Sequence, residues 1–343
     1  MSGFGIIRGM TLNRGAAILA AGLSLAATSG AAATGQTSIA FPRDGQKMPS
    51  ISRCYVSGAV EPGVTNVVVQ GRNVPVHPSG GWVTMVDLVA GTNTIVAGDA
   101  QVTVTVAAPP PPRPAGAGPA PEKKYAKLPY AGDKPKAPPK GKAPQEVTVV
   151  VDPGHGGSDT GAMSPHGLPE KDANLRLAKD VRDELARRGY RVLMTREDDS
   201  FPSLYDRPKL AHRNGADAFI SIHHNAPPLD RDPRLVRYHA VYAWNEIGSG
   251  LAGAINRRMA RAFGAALANN GVMSANFAVT RNPEIPSCLI ETDFITTPEG
   301  ELDCWNAERR RKVAAAIADG FADWVADAGK PSEEKASSKE EKK

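Results

Sequence analysis

The sequence predicts an α/β region with a mostly parallel sheet flanked by helices, preceded by a small all-β sandwich. Three observations carry that expectation. From residue 147 to about 325, apolar runs of strand length alternate with longer stretches of helical period, the pattern of βαβ units. From about 37 to 107 the runs are short, β-branched and closely punctuated by turn residues. Between them, residues 109–144 hold twelve prolines among Ala, Gly and Lys, a composition that favours extended chain over packed core. A length of 343 residues suits about two domains, and a hydrophobic content of 41% excludes wholesale disorder.

Taken in order, Arg8 and Arg14 precede an Ala-rich apolar run at 16–27 that ends in Gly30-Ala31-Ala32-Ala33, which predicts a signal peptide over 1–33. The run is too short for a bilayer, which takes about 20 apolar residues, and no later segment is long enough. The mature protein is therefore expected to be secreted, periplasmic or extracellular, without stable membrane insertion. An uncleaved anchor is the alternative. The sandwich is expected over 37–107, with strands at 54–58, 67–76, 81–85, 93–96 and 102–106 joined by Pro-Gly, Gly-Arg-Asn, Ser-Gly-Gly and Gly-Thr-Asn. It carries no converging acids or metal ligands, so a spacer or docking role suits it better than chemistry, and its partner is not legible. A Pro/Lys-rich linker follows over 108–145 and a larger α/β domain over 146–328. A charged tail without apolar residues, 329–343, is expected to be disordered.

In the α/β domain, strands are expected at 147–151, 190–194, 218–222, 238–244 and 287–290. Helices are expected at 171–188, where Leu177, Ala178, Val181 and Leu185 share a face before Gly189, and at about 249–263 and 307–324. The net charge of +5 is concentrated in the linker, where eight Lys and Arg face two acids, so the folded parts are near neutral and no nucleic-acid partner is expected. Three cysteines, Cys54, Cys288 and Cys304, make neither a disulfide framework nor a four-cysteine metal site, although Cys288 and Cys304 have the option of pairing.

Three strands end on chemically able residues: 147–151 runs into Asp152-Pro153-Gly154-His155, 218–222 into His223-His224-Asn225, and 288–290 into Glu291-Thr292-Asp293. In open α/β sheets, ligands bind beyond the carboxyl ends of the strands. Glu170, opening a helix after a turn-rich stretch, adds a fourth. His155, His223 and Glu170 with one position left to water make a hydrolytic zinc site for one ion, in which zinc lowers the pKa of its water to about 7. Glu291 is the candidate proton carrier. His223 is preferred to His224 because strand alternation lets one of them face the metal, with His224 on the rim. Asn174, one helical turn after Glu170, is a candidate to orient it. Each has a plainer reading: His155 as a turn residue, Glu170 as a helix-start acid, Glu291 as a salt-bridge partner and Asn174 as a surface amide.

The same residues carry a family resemblance. The chain from 147 to 325 resembles the zinc-dependent N-acetylmuramoyl-L-alanine amidases of bacterial cell separation, the amidase 3 family. The resemblance rests on Val151-Asp152-Pro153-Gly154-His155-Gly156-Gly157, on Glu170-Lys171-Asp172-Ala173-Asn174-Leu175, on Arg207 with Ala211, Asn214, Ala216 and Asp217 leading into Ser221-Ile222-His223, and on Ile285-Pro286-Ser287-Cys288-Leu289-Ile290-Glu291. It implies zinc ligands at His155, Glu170 and His223, a catalytic glutamate at Glu291, peptidoglycan as partner, and cleavage of the amide between N-acetylmuramic acid and L-alanine by zinc-activated water. The 37–107 region resembles bacterial Ig-like modules found beside cell-surface hydrolases.

The family usually has Gly-Phe and then Ser-Asn after the glutamate; here Thr292-Asp293-Phe294 stands instead, and Asp293 is expected to raise Glu291 by like charge or to alter how the stem docks. Some members carry an inhibitory helix after the second histidine. Only the short 226–237 stretch stands here, which implies activity without an activator. Competing expectations are another zinc hydrolase of the wall, a carboxypeptidase or a deacetylase, and a non-catalytic wall-binding scaffold.

Overall fold

A computed structural model describes residues 36–111, 139, 141–244, 246–282 and 284–327. The expected signal segment at 1–33, linker residues 112–138 and 140, and the tail at 329–343 lie outside the described residues.

The N-terminal region is all-β. Strands β1 (Ser38–Phe41), β3 (Arg53–Ala59) and β6 (Gly81–Asp87) form one sheet. Strands β2 (Lys47–Met48), β8 (Ala100–Val106), β7 (Gly91–Ala97), β4 (Asn66–Val69) and β5 (Arg72–Pro75) form a second, in that order. Alternate residues pack between the sheets, with Cys54, Val56, Trp82, Ile95 and Val104 in the core. The 67–76 run, in which the sequence marks Gly-Arg-Asn as a joint, is a hairpin. Gln70 and Gly71 at its tip have φ of 48° and 76°, the paired positive values that a tight two-residue hairpin turn requires.

The second region is a six-stranded sheet. It is built from β9 (Thr148–Pro153), β10 (Arg191–Met194), β11 (Ala218–Asn225), β12 (Tyr238–Ala243), β13 (Ala268–Ser274) and β14 (Ser287–Phe294), in the order β10-β9-β11-β14-β12-β13. All neighbours are parallel except β12 and β14. The helices are α1 (Glu170–Arg187), α2 (Asp206–Arg213), α3 (Glu246–Phe263), α4 (Pro298–Trp305) and α5 (Ala307–Asp327). Val149, Val151, Ile220 and Ile222 face α1, α3 and α5 across a large apolar core, while Val150, Phe219 and Leu289 face the side that holds Ala211 of α2. Burial on both faces is what gives these strands their unbroken apolar runs. The sheet thus brings the ends of β9, β11 and β14 side by side.

The three cysteines are buried and free, so Cys288 and Cys304 do not pair. Between β11 and β12 the chain makes only a three-residue 3-10 turn, Pro233–Leu235, and no α-helix. Among the described residues no helix is long and apolar enough to cross a membrane.

His239 on β12 is fully buried against the ring of Phe263, at 4.9 Å between centroids, and neither ring nitrogen has a hydrogen-bond partner among the described residues. Desolvation lowers its pKa to about 4, so it is neutral in the folded protein. The unfolded chain takes up that proton near its ordinary value of about 6.5, and the folded chain only near 4. Stability therefore falls as pH drops through that window. Urea titrations at pH 7, 6 and 5 are expected to show a declining midpoint whose slope is reduced in His239→Leu. An unchanged slope would place the acid sensitivity elsewhere.

Candidate functional site

The site is assembled at the carboxyl ends of β9, β11 and β14. His155 follows β9 in a left-handed conformation, with φ of 61°, which is uncommon for a residue with a side chain and marks a backbone held by its surroundings. Two buried arginines do the holding. Arg207 of α2 donates through Nη1 to the carbonyl of Pro153 and through Nη2 to that of His155, each at 2.8 Å. Arg196 donates to the carbonyls of Pro153 at 3.0 Å and Gly154 at 2.8 Å. Arg207 is paired with Asp152 at 2.8 Å, both groups 1% exposed, and Asp152 also accepts from Thr195 and Ser221.

Glu170 opens α1 and receives both imidazoles on one oxygen. His155 Nε2 lies 3.1 Å and His223 Nδ1 3.0 Å from Glu170 Oε1. The two rings meet edge-on with centroids 4.9 Å apart. One ligand atom from each of the three residues falls within 4.8 Å of the others. The other carboxylate oxygen accepts the Ala162 N–H at 3.0 Å, and Asn174 Nδ2 donates to Oε1 at 3.1 Å. Asn174 is therefore a buried partner of Glu170 and not a surface amide.

Two glycines make this convergence possible. A Cβ on Gly154 would stand 2.2 Å from the His223 ring. On Gly161, at φ of +62°, it would stand 2.5 Å from Glu170 Oε2 and 2.8 Å from the His155 ring. No side chain fits at either position.

Burial, which alone would raise the carboxyl of Glu170, is outweighed by the charge of His155 and by hydrogen bonds from His155 and His223, so Glu170 is held well below the usual carboxylate range. Burial likewise works to lower His155, but the Glu170 charge and the contacts with Asp159 and Glu170 prevail and push it up to about 10. Asp159, 2.9 Å from His155 Nδ1, is a member of the cluster that the sequence did not single out. Two imidazoles sharing one anionic oxygen, in a pocket closed by glycines, match the nitrogen and carboxylate donors that zinc takes. A divalent ion there would displace protons from groups that already favour positive charge between them.

Glu291 stands on β14 directly across from His223 in the parallel register. Its Oε2 is buried without a hydrogen-bond partner among the described residues. Desolvation raises its pKa well above the usual range, the charge of Glu170 adds to the rise, and His155 opposes it.

Two expectations are corrected. His224 does not line the rim. It is buried beneath the site with Nδ1 2.7 Å from Asn174 Oδ1, because β11 continues through Asn225 and alternation turns this side chain into the interior. Burial lowers its pKa to about 4 and keeps it neutral. Asp293 is not among the groups that move Glu291. It is buried against the guanidinium of Arg237, at 3.0 and 2.5 Å, and that arginine also reaches Asp303 at 2.7 Å.

Comparison with known proteins follows the same half of the chain. A family model described as N-acetylmuramoyl-L-alanine amidase matches residues 149–323. The chain is similar to N-acetylmuramoyl-L-alanine amidase AmiA of Escherichia coli (strain K12), with 34% identity over 232 residues that cover 54% of this chain and 78% of the relative. It is also similar to N-acetylmuramoyl-L-alanine amidase AmiC of Neisseria meningitidis serogroup B, at 31% identity and 55% of each chain. Among solved structures, the amidase AmiC2 of Nostoc punctiforme matches with a TM-score of 0.50 and 35% identity, over 53% of this chain and 98% of that one. An N-acetylmuramoyl-L-alanine amidase from Clostridium difficile 630 matches with a TM-score of 0.50 and 32% identity, over the same shares.

Proposed function

The chain belongs to the N-acetylmuramoyl-L-alanine amidase family and hydrolyses the amide between N-acetylmuramic acid and the L-alanine of the peptidoglycan stem, and we propose that it does so around one zinc ion held by His155, Glu170 and His223, with Glu291 moving the protons. The observation that carries this reading is the convergence of three ligand atoms within 4.8 Å beside a buried carboxyl oxygen that has no partner of its own among the described residues.

When bound, zinc supplies a Lewis acid that polarises the scissile carbonyl and brings the pKa of a water toward neutrality. The rest is done by this chain. Arg207 and Arg196 hold the backbone from which His155 projects; Asn174 and the Ala162 N–H fix the carboxylate of Glu170. Glu291, whose pKa is raised by desolvation and by the charge of Glu170, accepts a proton from the attacking water and delivers it to the departing alanine amine. We further propose that residues 1–33 direct secretion to the periplasm or the exterior, that 37–107 is an Ig-like module, and that 108–145 links it to the catalytic domain at 146–328.

The absence of an α-helix between β11 and β12 supports activity without an activator protein. The test is incubation of the chain lacking 1–33 with purified sacculi and no added partner, with mass spectrometry of the products. Stem peptides with a free L-alanine amine and unbroken glycan strands are expected, with loss of activity under chelation and recovery on adding zinc. Peptides shortened at the carboxyl end or deacetylated sugars would mean a different hydrolase, and chelator-resistant activity would remove the metal.

A further inference from the structure

We propose that the N-terminal module forms one wall of the substrate cleft and that Arg43 recognises a carboxylate of the stem peptide there; this rests on the amidase reading above. The turn between β1 and β2 faces the 160–163 segment across a cavity of about 350 Å³, lined among others by Phe41, Arg43, Gln46, Thr160, Gly161 and Met163. That volume is within the range of ligand pockets, roughly 300–1,000 Å³. The far side of the same segment is the metal site. Gly161 lies against Glu170 and His155 so closely that a methyl group would not fit, and Ala162 donates its N–H to Glu170. The 160–163 segment alone thus separates the cavity from the ligands, so a stem peptide held at the metal has to pass around that segment to place a carboxylate in the cavity.

The two regions are also fastened together away from this cavity. The His166 ring spans them, with Nδ1 2.7 Å from Glu301 and Nε2 3.1 Å from the carbonyl of Ser79. The Tyr55 N–H donates to the carbonyl of Leu229 at 3.0 Å, and the Leu229 side chain packs on the sandwich core. The 226–237 stretch that follows the second histidine is therefore docked onto the module.

Within the cavity Arg43 is exposed, and its side chain reaches Thr160 Oγ1 through Nη2 at 3.3 Å, a long bond to a neutral group. Among the described residues it makes no ion pair. Asp44, on the same turn, directs Oδ1 to the Thr103 N–H of β8 at 2.8 Å. A peptide stem bears carboxylates on its acidic residue and its C-terminus, whereas the N-acetylated sugar is neutral. A planar guanidinium fits a carboxylate through two parallel hydrogen bonds.

The test measures calorimetric affinity of the full mature chain for a free stem tetrapeptide, with its carboxylates free or amidated, alongside KM and kcat on the corresponding muramoyl peptides. The wild type is expected to bind the free-carboxylate peptide about tenfold more tightly. Arg43→Ala is expected to abolish that preference and raise KM about tenfold with kcat unchanged, and Arg43→Lys to retain part of it. Affinity and KM within about twofold of wild type in Arg43→Ala, or a loss confined to kcat, would overturn the proposal. Because peptide affinity is read without turnover, failure of the wild type to cleave sacculi would count against the amidase reading separately.

Discussion

Glu291→Gln is expected to lower kcat on muramoyl peptides by roughly 10²- to 10⁴-fold while about one equivalent of zinc stays bound. The substitution keeps the shape of the side chain and removes only its ability to carry a proton. Its place argues for that role. The carboxyl sits across from His223 on the neighbouring strand, yet it belongs to neither the His155–Glu170–His223 convergence nor any hydrogen bond among the described residues at Oε2. A buried carboxylate oxygen without a partner is costly, and a purely structural role would have given it one. Burial and the charge of Glu170 both raise its pKa, which brings it toward the pH at which exchange with water is useful. The measurement is kcat by product analysis together with metal content by atomic emission. Turnover within about tenfold of wild type would require another proton carrier, and loss of metal would make Glu291 a ligand.

His155, His223 and Glu291 are legible in the sequence because a mostly parallel sheet buried on both faces writes its strands as apolar runs, and the chemistry follows where each run stops, while Glu170 is legible as the acid that opens α1. Val147 to Val151 before His155 and Ala218 to Ile222 before His223 are of this kind, and both strands extend two or three residues beyond the apolar part. That extension is why a rim position for His224 fails: counting from Ile222 puts it at the edge, whereas strand pairing that reaches Asn225 turns it inward. Strand β13 leaves no signal because Ala268–Ser274 is an exposed edge with no apolar alternation. Helices α2 and α4 are eight residues each, too short for periodicity, although Thr297 capping the Gly300 N–H ahead of Pro298 is a readable start signal. Asp159, Arg196 and the contact of the sandwich with 160–166 depend on loops whose course no local pattern encodes.

Arg207→Ala is expected to cost about 3–5 kcal/mol of folding stability, a large share of the roughly 5–15 kcal/mol typical of a whole domain. The charge of Asp152 would be left buried and unpaired, and the carbonyls of Pro153 and His155 would each lose a donor. Activity should fall for a second reason. Without the guanidinium fork the left-handed backbone at His155 loses one of its two clamps, and metal affinity is expected to drop roughly 10–100-fold, as when supports of metal ligands are removed elsewhere. The double variant Asp152→Ala/Arg207→Met separates the two effects. With no orphaned charge it should regain part of the stability, yet not the metal affinity, because a thioether offers no donors to the two carbonyls. Urea midpoints at constant slope and zinc titrations on the three proteins make the comparison. A stability loss below about 1 kcal/mol in Arg207→Ala would mean that water reaches Asp152, and recovery of zinc affinity in the double variant would show that Arg196 alone holds His155 in place.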